Sequence, residues 1–400
     1  MQKWLIHGDP DFHQDDILRG FIHSSVVSQL IKIMLILSME TSCDETSAAI
    51  LEADESLNKF GLLSSVVSSQ AKLHSAWGGV VPNLAAREHL KNIFPVLEQT
   101  IKEAGVKMQE VGLLCVTQGP GLIPALLVGA NAAKTLSYFH QKPLLGIHHI
   151  EGHIYANFFE NKKQGRLDKH SFPILNLVVS GGHTQLILMK DHLDYEIVGE
   201  TMDDAAGEAF DKVAKILELG YPGGPIVSQK AGEAEKITRE DMASLEFPRP
   251  MLKSKDLNFS FSGLKTAVLY FYKDLERRNL SKKDLEDWKK IICQKFQEAV
   301  IDVLIQKTLK GISEFRPKTV LLSGGVAANF SLKKELGEAI KKDRLQVKFS
   351  YPEMDFCGDN AAMIGAAGLA RYGKLKEEGV LKKLEGNWRD LEAEANLKLF

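Results

Sequence analysis

The chain has 400 residues, 44% hydrophobic and 26% charged, a length and balance that suit a globular enzyme of two domains. Its 50 Lys and Arg nearly cancel its 52 Asp and Glu, so no strongly basic field marks a nucleic-acid binder, and any RNA would have to be held by local patches or partner proteins. The four cysteines, Cys43, Cys115, Cys293 and Cys357, stand far apart without a CxxC pair, which argues against a disulfide framework and a cysteine zinc cluster and fits a reducing, cytoplasmic setting.

Residues 1–33 precede the first clear strand and read as an appended amino-terminal extension, with Met34 an equally good start for the folded part. The acidity of Asp9, Asp11, Asp15 and Asp16 argues against a mitochondrial transit peptide. The most apolar stretch, Val26 to Leu37, is interrupted by Ser28, Gln29 and Lys32, so no transmembrane helix and no membrane partner are expected.

From Met34 onward, apolar runs end abruptly in small polar residues and glycines, the pattern of a strand running into a loop. Met34 to Leu37 leads into the Glu40 to Thr46 segment, and Val111 to Val116 into Thr117-Gln118-Gly119-Pro120-Gly121. Two later exits resemble each other, Ile174 to Val179 before Ser180-Gly181-Gly182-His183 and Thr319 to Leu322 before Ser323-Gly324-Gly325, a weak internal repeat. Between them Tyr221 to Pro225 reads as a rigid turn, and Phe247 to Phe261, rich in Pro, Lys and Ser, as a mobile surface excursion. A helix is expected from Ser281, with Leu285, Trp288, Ile292, Phe296, Ala299 and Val303 on its core face and Gly311 as its stop. Beyond Arg371 the chain is charged and lacks long apolar periodicity, as a solvated tail would be.

Within this frame, His148-His149-Ile150-Glu151-Gly152-His153 places His149 and His153 on one helical face, either as ligands of one cation or with His153 as a core residue. A zinc protease is excluded, because Glu151 neither follows the first histidine directly nor precedes the last, and it points about 200° round the helix from His149. Asp359 opens a small-residue helix as N-cap or ligand, and Asp44 and Glu45 follow the first strand as turn residues or as acids facing a metal or phosphate. Glycine loops such as Ser180 to Thr184 and Ser323 to Asn329 let backbone N–H groups approach an anion. Asp211 could accept ribose hydroxyls or pair with Lys215.

Taken in order, ETSCDET, GPG, HHIEGH, VSGGHTQL, GEAFDKVAK, YPGGP, NFSFSGLKT, SGGVAAN and FCGDNAAMIG resemble the tRNA adenosine threonylcarbamoyltransferases from about Met34 to Arg371. The resemblance implies an α/β, two-domain actin-like, Hsp70-like (ribonuclease H-like) fold with a central cleft. Domain I would span 34–170, completed by a helix around 360–372, domain II 171–358 with a helical insertion, and 373–400 would be a charged tail. It implies His149, His153 and Asp359 as ligands of one divalent metal ion per subunit, Fe2+ ahead of Zn2+. Val178, Val179, Ser180, Gly181 and Gly182 would form the substrate loop, with Asp211, Gly224 and Asn329 around the nucleotide. Asp44 and Glu45 match an acidic pair implicated in activity, and with His183 they are the candidate bases.

The implied reaction passes the threonylcarbamoyl group of threonylcarbamoyl-AMP to N6 of adenosine 37 in tRNAs reading ANN codons. The implied partners are an inactive (TsaB-like) paralogue, in a heterodimer through the amino-terminal domain, and a small (TsaE-like) ATPase. The competing classes are an actin-like ATPase or sugar kinase, which has no use for the histidine pair, and a non-catalytic scaffold, whose metal positions would be empty of ligands. The departures are the first 33 residues and the lysine-rich end.

Overall fold

Two sheets of one plan carry the chain, as seen in a computed structural model that describes residues 33–399 apart from 235–236, 238–243, 279 and 344–345. The expected amino-terminal extension, save Ile33, lies outside the described residues. In the first sheet β1 (Met34–Glu40), β2 (Glu45–Ala53) and β3 (Lys59–Ser69) form an antiparallel meander. To it β4 (Val111–Gly119) and β5 (Leu144–His148) add in parallel on the β1 side, and the short β6 (Gln164–Arg166) at the other edge, in the order β5-β4-β1-β2-β3-β6. The second sheet repeats this with β7 (Ile174–Val179), β8 (Thr184–Asp191), β9 (Asp194–Glu200), β10 (Thr319–Ser323) and β11 (Lys348–Ser350), in the order β11-β10-β7-β8-β9. Strands β1, β4, β7 and β10 are covered on both faces, which is why they read as unbroken apolar runs.

The internal repeat is therefore larger than the sequence suggested. The two similar exits belong to β7 and β10, neighbours in one sheet paired at Val178 and Ser323, whereas the duplication relates whole sheets.

Helices α1 (Ala71–Ser75), α2 (Pro82–Ala104) and α3 (Ile123–His140) belong to the first half, where α2 and α3 cover one face of its sheet around Leu37, Met39 and Leu114. Helices α4 (His149–Tyr155) and α10 (Ala361–Glu377) fill the space between the sheets, in a core that joins Ile36, Leu113 and Ile147 to Val178, Ile187 and Leu321. The far face of the second sheet carries α5 (Ala206–Ile216), α6 (Gly223–Ala234), α7 (Ser262–Glu276), α8 (Lys282–Phe315) and α9 (Phe330–Lys342). Glycine lets α10 lie close on the first sheet: a Cβ at Gly368 would sit 2.2 Å from Cys115 Sγ, and one at Gly365 2.4 Å from Leu51 Cδ1.

Three expectations are corrected. Helix α8 does not stop at Gly311 but runs to Phe315 and ends on Arg316 in the left-handed region; Gly311 instead admits Leu175 of β7. The Phe247 to Phe261 segment is no surface excursion, since Phe247, Leu257, Phe259 and Phe261 are buried in the second core, while Pro248, Lys253, Lys255 and Asp256 face water. The carboxyl end is not a free tail either: Glu394 N–H donates to Gln118 O, Gly121 N–H donates to Ala395 O, and Leu384, Leu391 and Leu399 are buried, while the charged residues between them stay exposed. Three buried leucines spread over this mostly charged stretch are too sparse to mark a helix or strand face, so pattern alone could not detect the packing.

Candidate metal centre and nucleotide cleft

Helix α4 starts where β5 ends, with His148 as its N-cap: His148 Nδ1 accepts the Ile150 N–H at 3.2 Å. The next two turns present His149 and His153 on one face, their ring centroids 4.7 Å apart. The third member comes from the start of α10. There Asn360 takes the capping role, its Oδ1 accepting the Met363 N–H at 3.0 Å, so the N-cap reading of Asp359 is corrected and its carboxylate is left for the histidines. Asp359 Oδ1 lies 3.2 Å from His153 Nε2 and 3.5 Å from His149 Nε2, and one ligand atom from each residue falls within 4.8 Å of the others. His153 is wholly buried, yet neither ring nitrogen has a hydrogen bond of acceptable geometry. Such an orphaned imidazole beside a carboxylate fits a divalent cation, and two nitrogens with one oxygen suit iron or zinc.

Sequence reasoning missed Glu40, the last residue of β1. Its Oε2 is 3.0 Å from His149 Nδ1 and accepts from Thr117 Oγ1 at 2.6 Å, while its Oε1 accepts from the Ser42 N–H. The only signal was an acid at the inner end of an apolar strand. Burial alone would raise the Glu40 carboxyl, but the His149 ring outweighs it and holds it below its ordinary value. Burial likewise opposes charge on His149, yet Asp359 and Glu40 together push it up to about 9. Asp359 is held down by His149 and His153 against its own burial. By holding Nδ1, Glu40 directs His149 Nε2 at the cation position. Changing Glu40→Gln keeps the shape and removes the charge, so affinity for Fe2+ or Zn2+ should fall about 10- to 100-fold in chelator competition; an unchanged affinity would dismiss this role.

Glu151 has a different task from its helix neighbours. It is fully buried, faces away from the cluster as its position on α4 requires, and forms an ion pair with Arg371 of α10, whose Nη2 is 2.6 Å from Oε2. Tyr195 of β9 adds a hydrogen bond at 3.2 Å.

The remaining expected residues differ in burial and in partners. Asp44 is buried and Glu45, opening β2, accepts from Ser69 Oγ at 3.0 Å. Burial beside Asp44 and Asp359 pushes the Glu45 carboxyl up to about 9, so it keeps its proton at neutral pH. Across from them, Val178 and Val179 are buried in β7 and offer only backbone. Ser180 and His183 close a tight turn, with Ser180 N–H donating to His183 O at 2.8 Å, that leaves Gly181 and Gly182 with open space beside them. Gly324, at φ 89°, meets this turn so closely that a Cβ would lie 2.4 Å from Val179 O. His183 is pulled down to about 4, by burial first and then by His149 and His153, and is neutral at pH 7.

Asp211 does not pair with Lys215. Its carboxylate accepts the Gly223 N–H at 2.7 Å and a backbone N–H of Gly224, holding the start of α6 near the acidic pair, since Asp44 is felt at both Asp211 and Tyr221. Gly224 itself has open space. The Asn329 side chain is committed: Oδ1 caps α9 at Leu332 N–H, and Nδ2 donates to Ser228 and Gln297, both at 2.9 Å.

This architecture and these motifs have clear relatives. By structure, the chain superposes on HypF from T. kodakarensis with a TM-score of 0.53 at 12% identity, over 89% of this chain and 51% of that one. A full-length HypF in a phosphate- and nucleotide-bound form gives 0.51 at 13% identity, over 88% and 47%; both likenesses show the actin-like fold. By sequence, it is 44% identical over 349 residues to the tRNA N6-adenosine threonylcarbamoyltransferase of Persephonella marina, 86% of this chain and 92% of that one. With the enzymes of the same name from Halalkalibacterium halodurans and Thermosipho africanus it shares 46% over 340 residues (84% and 91% of the two chains) and 44% over 369 (92% and 100%). The family model described as "TsaD: tRNA N6-adenosine threonylcarbamoyltransferase" matches residues 61–366, which span the histidine pair, both glycine loops and Asp359. The chain that sets two histidines and an aspartate beside this cleft therefore belongs to the tRNA N6-adenosine threonylcarbamoyltransferase family.

Proposed function

We propose that the chain transfers the threonylcarbamoyl group of threonylcarbamoyl-AMP to N6 of adenosine 37 in tRNAs reading ANN codons. The observation that carries this reading is the His149, His153 and Asp359 cluster, held by α4 and the start of α10 between the two sheets, with His183 of the Ser180 turn near enough for their charges to act on it. In this scheme the donor's phosphate lies at the Ser180 to Gly182 loop, against the N–H groups of Gly181 and Gly182, which leave room beside them, and its nucleoside lies near Asp211, Gly224 and Asn329. A divalent ion, Fe2+ ahead of Zn2+, held by His149, His153 and Asp359 would polarise the carbamoyl oxygen. As N6 bonds to the carbamoyl carbon, the carbon–oxygen bond to AMP breaks and AMP leaves with the electron pair. N6 becomes acidic as it bonds, and neutral His183 accepts its proton; Glu45 holds a proton already and is the weaker choice over Asp44 or His183.

Leu90 and Phe94 of α2 and Ile123 and Leu127 of α3 expose an apolar face on packed neighbouring helices. That face suits the heterodimer with an inactive TsaB-like paralogue, while a TsaE-like ATPase and tRNA complete the assembly. No described helix is long and apolar enough to cross a membrane.

The test is reconstitution. Chain, synthetic adenylate, tRNA and the two helper proteins should yield threonylcarbamoyladenosine on nucleoside analysis. Phosphorylation of a small molecule with no modified tRNA would favour the kinase reading and overturn this one.

A further inference from the structure

A cavity of about 590 Å3 opens against His183 of the Ser180 turn and against the start of α4, where His148 and Ile150 flank His149. His183 ties this cavity to the cluster: it lines the cavity and is near enough to His149, His153 and Asp359 for their charges to act on it. The walls are of two kinds. Ile150, Ile197 and Leu397 present apolar surface, whereas Gln185, Glu200 and Asn396 bring hydrogen-bonding groups. The far wall is the chain's own end, residues 395–399, tied down where Leu397 O meets His148 Nε2 at 3.0 Å.

We infer that this cavity is the acceptor pocket, taking the purine base of a tRNA adenosine turned out of its stack. The inference rests on the transfer reading above. An attacking amine must come within reach of the group that takes its proton, and His183, which has that role in the transfer reading, lines the cavity. A planar base is held by apolar faces and read at its edges by a few amide or carboxylate groups, which is this composition. The volume falls within the ordinary range of pockets for ligands of nucleoside size. Packing of the carboxyl end thereby acquires a purpose, since without residues 395–399 one wall is missing.

Two variants test it in the assembled holoenzyme with helper proteins. Ile197→Trp fills the cavity, and Gln185→Leu keeps its volume while removing one polar edge. A stem-loop RNA carrying 2-aminopurine at the acceptor position reports extrusion as a rise in fluorescence on binding the parent chain. We expect that rise to vanish with Ile197→Trp, and KM for tRNA to increase at least tenfold in both variants. Affinity for a non-transferable donor analogue and metal content should stay within twofold, and melting curves identify a variant that merely misfolds. If a folded Gln185→Leu and Ile197→Trp both keep the parent's KM for tRNA, the cavity is not the acceptor site. If the parent itself transfers nothing to tRNA, the transfer reading fails first and this inference with it.

Discussion

With His153 changed to alanine, the protein should lose its metal and about a thousandfold or more of its transfer rate while remaining folded. Unlike His149, which Glu40 and Ser42 also hold, His153 meets only the cluster: it is fully buried and both its nitrogens lack a satisfactory hydrogen bond. Removing it leaves one histidine and one carboxylate, too few to hold a catalytic divalent ion that ordinarily takes three protein ligands. A thousandfold loss corresponds to about 4 kcal/mol of transition-state stabilisation, a size expected when a charge-stabilising group is removed from a closed site. Stability should change little, because the small void left by the ring is offset by deleting an unsatisfied buried polar group. Metal content by atomic spectroscopy, transfer to tRNA and a thermal melt measure the three quantities; retained metal with full activity would remove His153 from the centre.

The second large effect concerns folding. Glu151→Ala strands Arg371, which is held against α4 by that carboxylate, and should destabilise the protein by roughly 2–3 kcal/mol. This lies at the low end for a broken buried pair because the Arg371 side chain retains 36% of its exposure and water can solvate it in part. The double variant Glu151→Ala with Arg371→Ala should recover part of the loss, since neither charge is then left alone. Urea denaturation gives both numbers, and a loss below about 0.5 kcal/mol in the single variant would mean that the pair does not stabilise α4. Because α4 also carries His149 and His153, metal affinity should weaken in the same variant although Glu151 touches no ligand.

The same residue shows how far sequence could be read. The position of Glu151 between the histidines excluded a protease by helical geometry alone, and α4 has that geometry. Its partner, however, sits 220 residues away on another helix, and no local pattern links the two. Asp359 is similar. A helix start accepts Asp or Asn equally well, so one residue could not be chosen until Asn360 was seen to cap α10 and leave Asp359 to the histidines.

Strand exits, the HxxxH face and the glycine loops could be read because each depends on neighbours within a few residues: backbone sterics, a helical period and the absence of a Cβ. The tertiary structure alone decided what depends on distant groups. Glu40 became a partner of His149 through a strand pairing that brings β1 beside the end of β5 by way of β4. The hydrophobic residues of Phe247 to Phe261, and the leucines after Arg371, are buried by surfaces that other parts of the chain supply. Leu257, Phe259 and Phe261 do alternate with Asn258 and Ser260 as one strand face would, but Phe247 and the leucines after Arg371 are too widely spaced to leave such a trace, since it is the partner surface and not the segment's own geometry that selects which of them turn inward.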